Sequence, residues 1–531
     1  MSEFNFNPDF YKTKGDINMA ITSDASHQQG LVQKISLTIV GIGLLLLIVA
    51  AFGAANTHPT PFLLASMGCL IIGGVAYTLQ QYKDRPAGIK NNGVMFGQMT
   101  SRGASAWVSG IVITGLYVVL YWYPQYLGLG QDGATNTGLI RMFDPLSMFL
   151  KGQAASEWFL YGTLYTVAIL VMGFKFIWKY RHNKYQVLRT ISVMFFQLGF
   201  AFLLPEILQA LKYPYYDFKN MWPLNYYFFY DWNINGFLSN GNMGLFMLLF
   251  GLAMVFIISP VLTYFYGKRW YCSWVCGCGG LAETAGDPYR HLSDKSLKAW
   301  KIERWMIHSV LVFVTVMTIS VLYGIFYKNP EGYFVTKDMF VGIVTVILLL
   351  VAGFTLLNKE VVREVNSKTR FLIAGVIVAI LGFTLFAYAF GSSNVFFVDN
   401  YKLQSWYGFF IGAAFSGVVG VGFYPIMGSR VWCRFGCPMA AVLGLQQRFF
   451  SRFRITTNSG QCISCGNCST YCEMGIDVRA YAQKGQNIVR ASCVGCGICA
   501  AVCPRGVLKL ENGPKEERKV IHIRRDDVGF L

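Results

Sequence analysis

The sequence predicts a polytopic α-helical membrane protein whose chain runs on into a small, cysteine-dense α+β domain. Three observations carry this reading. The 531 residues are 54% hydrophobic and 16% aromatic but only 14% charged, too apolar and charge-poor for an ordinary soluble protein. Ten stretches approach the ~20 apolar residues that span a ~30 Å hydrocarbon layer. Eight of the fourteen cysteines fall between residues 462 and 503, at metal-ligand spacings.

The ten stretches run from Ile35 to Ala55, Pro61 to Leu79, Ala104 to Tyr123, Trp158 to Trp178, Val187 to Leu211, Met243 to Tyr266, Trp305 to Tyr327, Met339 to Leu357, Phe371 to Phe390 and Trp406 to Met427. Orientation follows from the loops, because short cytoplasmic connections collect Lys and Arg. One set carries "QQYKDRPAGIK", "KYRHNK", "YGKRW", "NKEVVREVNSKTR" and "GSRVWCRFG". The other carries "ANTHPT" and the aromatic "YPYYDFKNMWPLNYYFFYDWN". The basic set is expected in the cytoplasm of an inner-membrane protein, with both termini and every cysteine except Cys69. The net charge of +18 then reports topology, and with no basic stripe on a binding fold it does not point to nucleic acid. The first thirty residues are polar and lack the apolar core and cleavage site of a secretory signal. The expected organisation is a polar segment over 1–30, five spans over 31–242, five more over 243–450, the small domain over 451–513 and a charged tail over 514–531.

Cytosolic thiols stay reduced, so a dense, spaced set there indicates metal and not disulfides. Cys462, Cys465, Cys468 and Cys472 read C-x2-C-x2-C-x3-C, and Cys493, Cys496, Cys499 and Cys503 repeat the pattern, followed by Pro504. This is the spacing of the bacterial two-cluster ferredoxin, in which the fourth cysteine of each run serves the other cluster. One [4Fe–4S] cluster is therefore expected on Cys462, Cys465, Cys468 and Cys503, and a second on Cys493, Cys496, Cys499 and Cys472. Gly466 and Gly497 suit a loop wrapped closely around such a group. Structural zinc is the competing reading, but zinc sites usually pair two C-x2-C knuckles. Glu473 stands where the second run has Pro504, a change expected to affect chain direction more than ligation.

Upstream, "GKRWYCSWVCGCGG" follows the sixth span and "GSRVWCRFGCPM" follows the tenth. Aligned, they pair Gly267 with Gly428, Arg269 with Arg430, Tyr271 with Trp432, Cys272 with Cys433 and Cys276 with Cys437, an internal repeat. Cysteines four apart share a helix face, so the two copies could meet as a four-thiolate site at the cytoplasmic membrane surface. Each arginine would sit beside the thiols and favour their anionic form. The plainer alternative is four structural cysteines at helix ends.

The paired G-x-R-x-aromatic-C-x3-C segments beside a two-cluster domain resemble the NosR/NapH/CcoG group of membrane-bound polyferredoxins, over about 243–513. The resemblance implies an electron-transfer protein with [4Fe–4S] clusters, acting in respiratory or accessory redox pathways. In that group both membrane motifs usually read C-x3-C-P. Here Cys437 precedes Pro438 as expected, but the first copy reads Cys276-Gly277-Cys278. The extra Cys278 leaves a third iron–sulfur cluster, a copper ion and a redox-active thiol pair open. Some members are similar to carriers of a flavin attached through [ST]-G-A-T. The nearest match, Asp132 to Thr135, has Asp132 at the first position and reads as a turn, so flavin is not expected.

Glu206, after Pro205 in the fifth span and near Gln197 and Gln209, is a candidate quinone or proton site, since a carboxylate in a membrane helix is costly and usually functional. Pairing with a neighbouring helix would explain it equally. Only His308 of six histidines lies in a span, too few for a bis-histidine haem. No acid–base pair, nucleophile triad or phosphate loop is visible. The function expected is an electron-transfer component, within a larger membrane complex or alone. It would join a cytoplasmic donor or acceptor to a quinone pool or an outer-side redox protein. The runner-up is copper reduction or assembly for a respiratory metalloenzyme, and a cluster-bearing sensor ranks third.

Overall fold

The computed structural model describes residues 30–83, 102–131, 133–330, 333, 335–358 and 366–513. The expected polar segment, charged tail, Asp132 of the flavin-like turn, and most of the basic "QQYKDRPAGIK" and "NKEVVREVNSKTR" loops lie outside these residues.

Among the described residues, nine helices are long and apolar enough to cross a membrane. They are α1 (Leu31–Ala51), α2 (Pro59–Gln81), α3 (Ala104–Trp122), α5 (Glu157–Lys179), α6 (Lys184–Ala210), α8 (Gly241–Tyr266), α10 (Leu297–Lys328), α11 (Lys337–Leu357) and α12 (Ser367–Ala389). This composition and length are those of a multi-pass membrane protein. Between them come the amphipathic α4 (Gly138–Lys151), α7 (Asp231–Ser239) and α9 (Gly277–Thr284). The first nine expected stretches each correspond to one long helix. The tenth differs. It forms α13 (Asn400–Tyr407), a π-helical continuation over Gly408–Val419, then a break before a single turn at Tyr424–Met427. Its glycines explain the irregularity: Gly408 and Gly412 accept the Tyr226 ring at 2.7 and 3.0 Å from where a Cβ would stand, and Gly417 accepts Tyr117.

Small residues bring α1 and α2 together, with Gly43 against Ser66 and Gly73 against Ser36 and Val40. Prolines disturb two long helices. Pro205 in α6 and Pro260 in α8 each follow a π-helical stretch, Phe196–Leu203 and Met254–Ile258, as expected where proline removes a backbone donor and its ring crowds the preceding turn.

After α14 (Pro438–Phe450) the chain forms a small domain built on β1 (Arg454–Thr457) and β2 (Leu508–Glu511). The strands are antiparallel, Arg454 opposite Glu511 and Thr457 opposite Leu508. Between them lie the two cysteine runs and α15 (Val478–Gln483), whose N-terminus Asp477 caps by accepting from the Ala480 N–H. The domain sits on the end of the bundle where α5 finishes and α6 begins. Its core is continuous with that of the helices: Ile455, Val494 and Cys499 pack in one cluster with Tyr271, Trp432 and Leu443.

Candidate metal centres and the cavity beside them

In the small domain the cysteines gather into two sets. Cys462, Cys465, Cys468 and Cys503 line one small cavity of about 20 Å³, with Arg479 and Arg505 beside them. Cys499 lies in the electrostatic reach of Cys496, Cys493, Cys472 and Cys468. Each group thus draws on cysteines of both runs. Gly466 and Gly497, at φ +82° and +76°, begin the turn that carries the third cysteine of each run, a backbone state that would strain any other residue. Burial pushes the Cys468 thiol up to about 12 and the Cys472 thiol up to about 11.

The sets differ in surroundings. Cys465 is exposed, and Ile463 beside it is 57% exposed. The loop Cys493–Cys496 is instead held against the helix bundle by all four of its carbonyls. Gln447 Nε2 donates to Cys493 O at 2.7 Å, Ser273 Oγ to Val494 O at 2.9 Å, Tyr185 OH to Gly495 O at 2.9 Å and Gln186 Nε2 to Cys496 O at 2.8 Å. A methyl on Gly495 would meet Arg269 at 2.7 Å, so only glycine permits this approach.

The duplicated motif forms two re-entrant hairpins. Each opens on a glycine with positive φ, Gly267 and Gly428, then carries its cysteines inward among the helices. Each returns on a helix that starts directly after the second cysteine, α9 after Cys276 and α14 after Cys437. Gly277 lies against Tyr165, Gln197 and Lys219. Gln197 is thirteen residues into α6, roughly 20 Å along its axis from the end that meets the small domain. The C-x3-C runs are not simple continuations of the long helices but turn back between them. The physical reason is the two helix N-termini, whose unpaired N–H groups favour anionic sulfur. The Ala440 N–H is 3.4 Å from Cys437 Sγ.

Cys272, Cys276, Cys433 and Cys437 are electrostatic neighbours of one another. Cys278 hydrogen-bonds Cys276 and is the exposed member of the group. No three thiol sulfurs among the described residues come within 4.8 Å of one another.

The arginines of the repeat have separate roles. Arg430 is buried, with Nη1 3.5 Å from Cys433 Sγ and 3.3 Å from Cys272 O, as the sequence suggests. Arg269 instead stacks on the rings of Phe453 and Tyr185, because the incoming Cys493–Cys496 loop occupies the space beside it. Arg430 also anchors a buried ion network that sequence reasoning missed. Its Nε donates to Glu473 Oε1 at 3.0 Å and its Nη2 to Glu283, which also pairs with Arg189. Arg290 donates to Glu473 at 2.7 Å and to Asp287 at 2.9 Å, and Lys179 donates to Asp287 at 2.7 Å. Glu473 is therefore no passive departure from proline; it ties the domain to both hairpins. Burial alone would raise its pKa, but Arg290 and Arg430 hold it below the usual carboxylate range. Arg189, a cation inside one apolar stretch, and Lys179, directly after another, were the available signal.

Cys276 and Cys278 open onto a cavity of about 1160 Å³ that leads towards the far, aromatic end of the bundle. Trp122, Trp158 and Trp232 line that end. Lys219 Nζ lies 2.7 Å from Gln197 Oε1 near the thiols. Glu206 lines the cavity too, paired with Lys151 at 2.9 Å, both side chains under 10% exposed. The pairing with a neighbouring helix is thus the arrangement found, at the edge of a chamber large enough for a ligand.

Residues 461–508 match the family described as a 4Fe-4S dicluster domain. Residues 247–297 and 407–456, one hairpin each, match the family described as a 4Fe-4S binding domain. The class is thereby defined: an iron–sulfur protein with ferredoxin-type domains and apolar helices suited to a membrane. Neither a curated protein nor a solved structure matches the chain.

Proposed function

We propose that this chain is a membrane electron-transfer protein of the polyferredoxin kind, with three thiol sets in series. The observation that carries the reading is the clasp on Cys493–Cys496. Four side chains from the bundle pin that loop directly onto the first hairpin, while the other four-cysteine set faces outward. The order is thus an exposed set, a clasped set, the hairpin thiols and the cavity.

Cys462, Cys465, Cys468 and Cys503 would hold one [4Fe–4S] cluster and Cys493, Cys496, Cys499 and Cys472 a second. Cys272, Cys276, Cys433 and Cys437 would hold a third, on the strength of the family match to both hairpins. When bound, such groups supply one-electron chemistry without protein acid–base residues. The chain supplies the rest. The helix N-termini and Arg430 compensate anionic sulfur, the Glu473 network fixes the domain's position, and the packed core keeps water from the clasped set. The cavity is where a quinone or an outer-side redox partner would meet the hairpin thiols, beside Lys219 and the Lys151–Glu206 pair. In the orientation read from the basic loops, the small domain is cytoplasmic and the cavity opens outward in the inner membrane.

Metal analysis tests this reading. Oxygen-free protein should contain about twelve iron and twelve acid-labile sulfide per chain. About eight iron with about one copper would instead support the copper-handling reading, which Cys278 beside Cys276 favours. No cubane signal in electron paramagnetic resonance after reduction would end the proposal.

A further inference from the structure

We propose that the exposed face around Cys465 is the docking surface for a small acidic one-electron carrier protein. This rests on the electron-transfer reading above and specifies its soluble partner. Of the three thiol sets, only the one at Cys462, Cys465, Cys468 and Cys503 has an exposed cysteine on the small domain. The other set of that domain is covered by Gln447, Ser273, Tyr185 and Gln186. On the small domain, among the described residues, this is the face at which a soluble partner comes within a short distance of a redox centre.

The face has the composition of a docking site. Its middle is apolar, with Ile463 and Pro504 exposed beside Cys465. Its rim is basic. Arg479 and Arg505 line the thiol cavity itself, and both are exposed. Lys484, also exposed, follows Gln483, whose Nε2 donates to Ser464 Oγ at 2.9 Å and so brings that turn to the mouth of the cavity. Among the described residues of the small domain, no exposed acidic side chain offsets them. Residues 451–513 contain three, Glu473, Asp477 and Glu511, and none is exposed. Glu473 is bound in the buried network, and Asp477 accepts from Ser469 at 2.6 Å while capping α15. An unopposed basic rim around an apolar centre steers an acidic partner and repels a basic one. The exchange is a single electron moving between the carrier's own centre and the nearer cluster, with no bond or proton transferred.

The test uses the detergent-solubilised full chain and a small acidic ferredoxin, in two forms. A gallium-substituted form, which cannot exchange electrons, reports binding alone. The native reduced form reports the electron-transfer rate. Both affinity and rate should fall at least tenfold as ionic strength rises from about 0.01 M to about 0.1 M, where the screening length shrinks from ~30 to ~10 Å. The Lys484→Glu variant, at a residue outside the cavity lining, should weaken binding by about fivefold at low salt, and a basic cytochrome-type carrier should gain affinity from the same change. Dithionite reduction and iron content should be unchanged, since it needs no docking site. Arg479→Gln, a milder second variant, guards against misfolding of the reversal mutant and should weaken binding about threefold. Clusters that fill and reduce with dithionite, while carrier binding ignores both salt and charge reversal, would overturn the docking surface and leave the electron-transfer reading standing. Absent clusters would overturn both.

Discussion

The two hairpins began as one pattern and now do different work. The second copy, Gly428 to Phe450, is sealed: Cys433 and Cys437 are buried, Pro438 starts a thirteen-residue helix, and Arg430 is locked between Glu283 and Glu473. The first copy, Gly267 to Thr284, is open on one side. Its return helix has eight residues, glycine replaces the proline, Cys278 is added, and the space beside Gly277 is filled by Lys219 from the loop at the aromatic end. Duplication supplies two helix N-termini facing one group of thiols. Divergence makes one wall structural and the other a contact with the cavity.

The largest test of that contrast is at the thiols. Cys437→Ser, on the sealed side, should remove the hairpin centre and lower iron from about twelve to about eight per chain. Cys278→Ser, on the open side, should leave iron unchanged and abolish the fast alkylation of a cavity-facing thiol by a small maleimide. Equal iron loss in both variants would make Cys278 a ligand and break the asymmetry.

Next come the arginines. Arg430→Leu leaves Glu283 and Glu473 buried with fewer partners, and losing one side of such a network costs about 3–5 kcal/mol. Arg269→Leu loses only ring stacking and should cost about 1 kcal/mol. Thermal unfolding and limited proteolysis of the small domain would separate them, with the domain released only in the first variant.

The arginine pair also shows what the sequence could and could not reveal. Nine of the ten expected apolar stretches and the iron–sulfur character of the two cysteine runs were legible, because apolar length and ligand spacing are local properties written in consecutive residues. The depth of the hairpins was not. A C-x3-C run reads the same at a helix end or in a re-entrant loop, and only contacts with Tyr165 and Gln197, about a hundred residues away, distinguish them. Glu473 was visible as an oddity, yet its partners Arg290 and Arg430 come from two other segments. The clasp on Cys493–Cys496 was invisible for the same reason: Tyr185, Gln186, Ser273 and Gln447 are ordinary polar residues until folding brings them to four consecutive carbonyls.

Acid should probe the network's other end. Burial raises the Asp287 carboxyl, but Lys179 and Arg290 outweigh it and hold the group down from 3.8 to about 2. A depressed carboxyl contributes stability that is present above its unfolded pKa and disappears as pH falls through the folded one. Attachment of the hairpin return to α5 should therefore weaken by about 2 kcal/mol between pH 4 and pH 2. Thermal melts across that window should show the loss, and Asp287→Asn, already weakened at neutral pH, should show a flatter acid limb.

The smallest effect expected is at the position where the copies diverge. Pro438 sits at the first position of α14, where a missing N–H costs nothing and the ring pre-sets the helix, so Pro438→Ala should cost well under about 1 kcal/mol. Gly277→Ala places a methyl where Lys219 Nζ and Gln197 Oε1 stand, each 2.6 Å away. Both atoms end flexible side chains and can withdraw, so stability should again change by less than about 1 kcal/mol. What should change is access. Displacing Lys219 breaks its 2.7 Å bond to Gln197 and uncovers the loop between Cys276 and Cys278. Alkylation of Cys278 should quicken in Gly277→Ala and stay at the parental rate in Pro438→Ala. If both variants alkylate alike, Lys219 does not guard the open hairpin, and the difference between the two copies reduces to their cysteines.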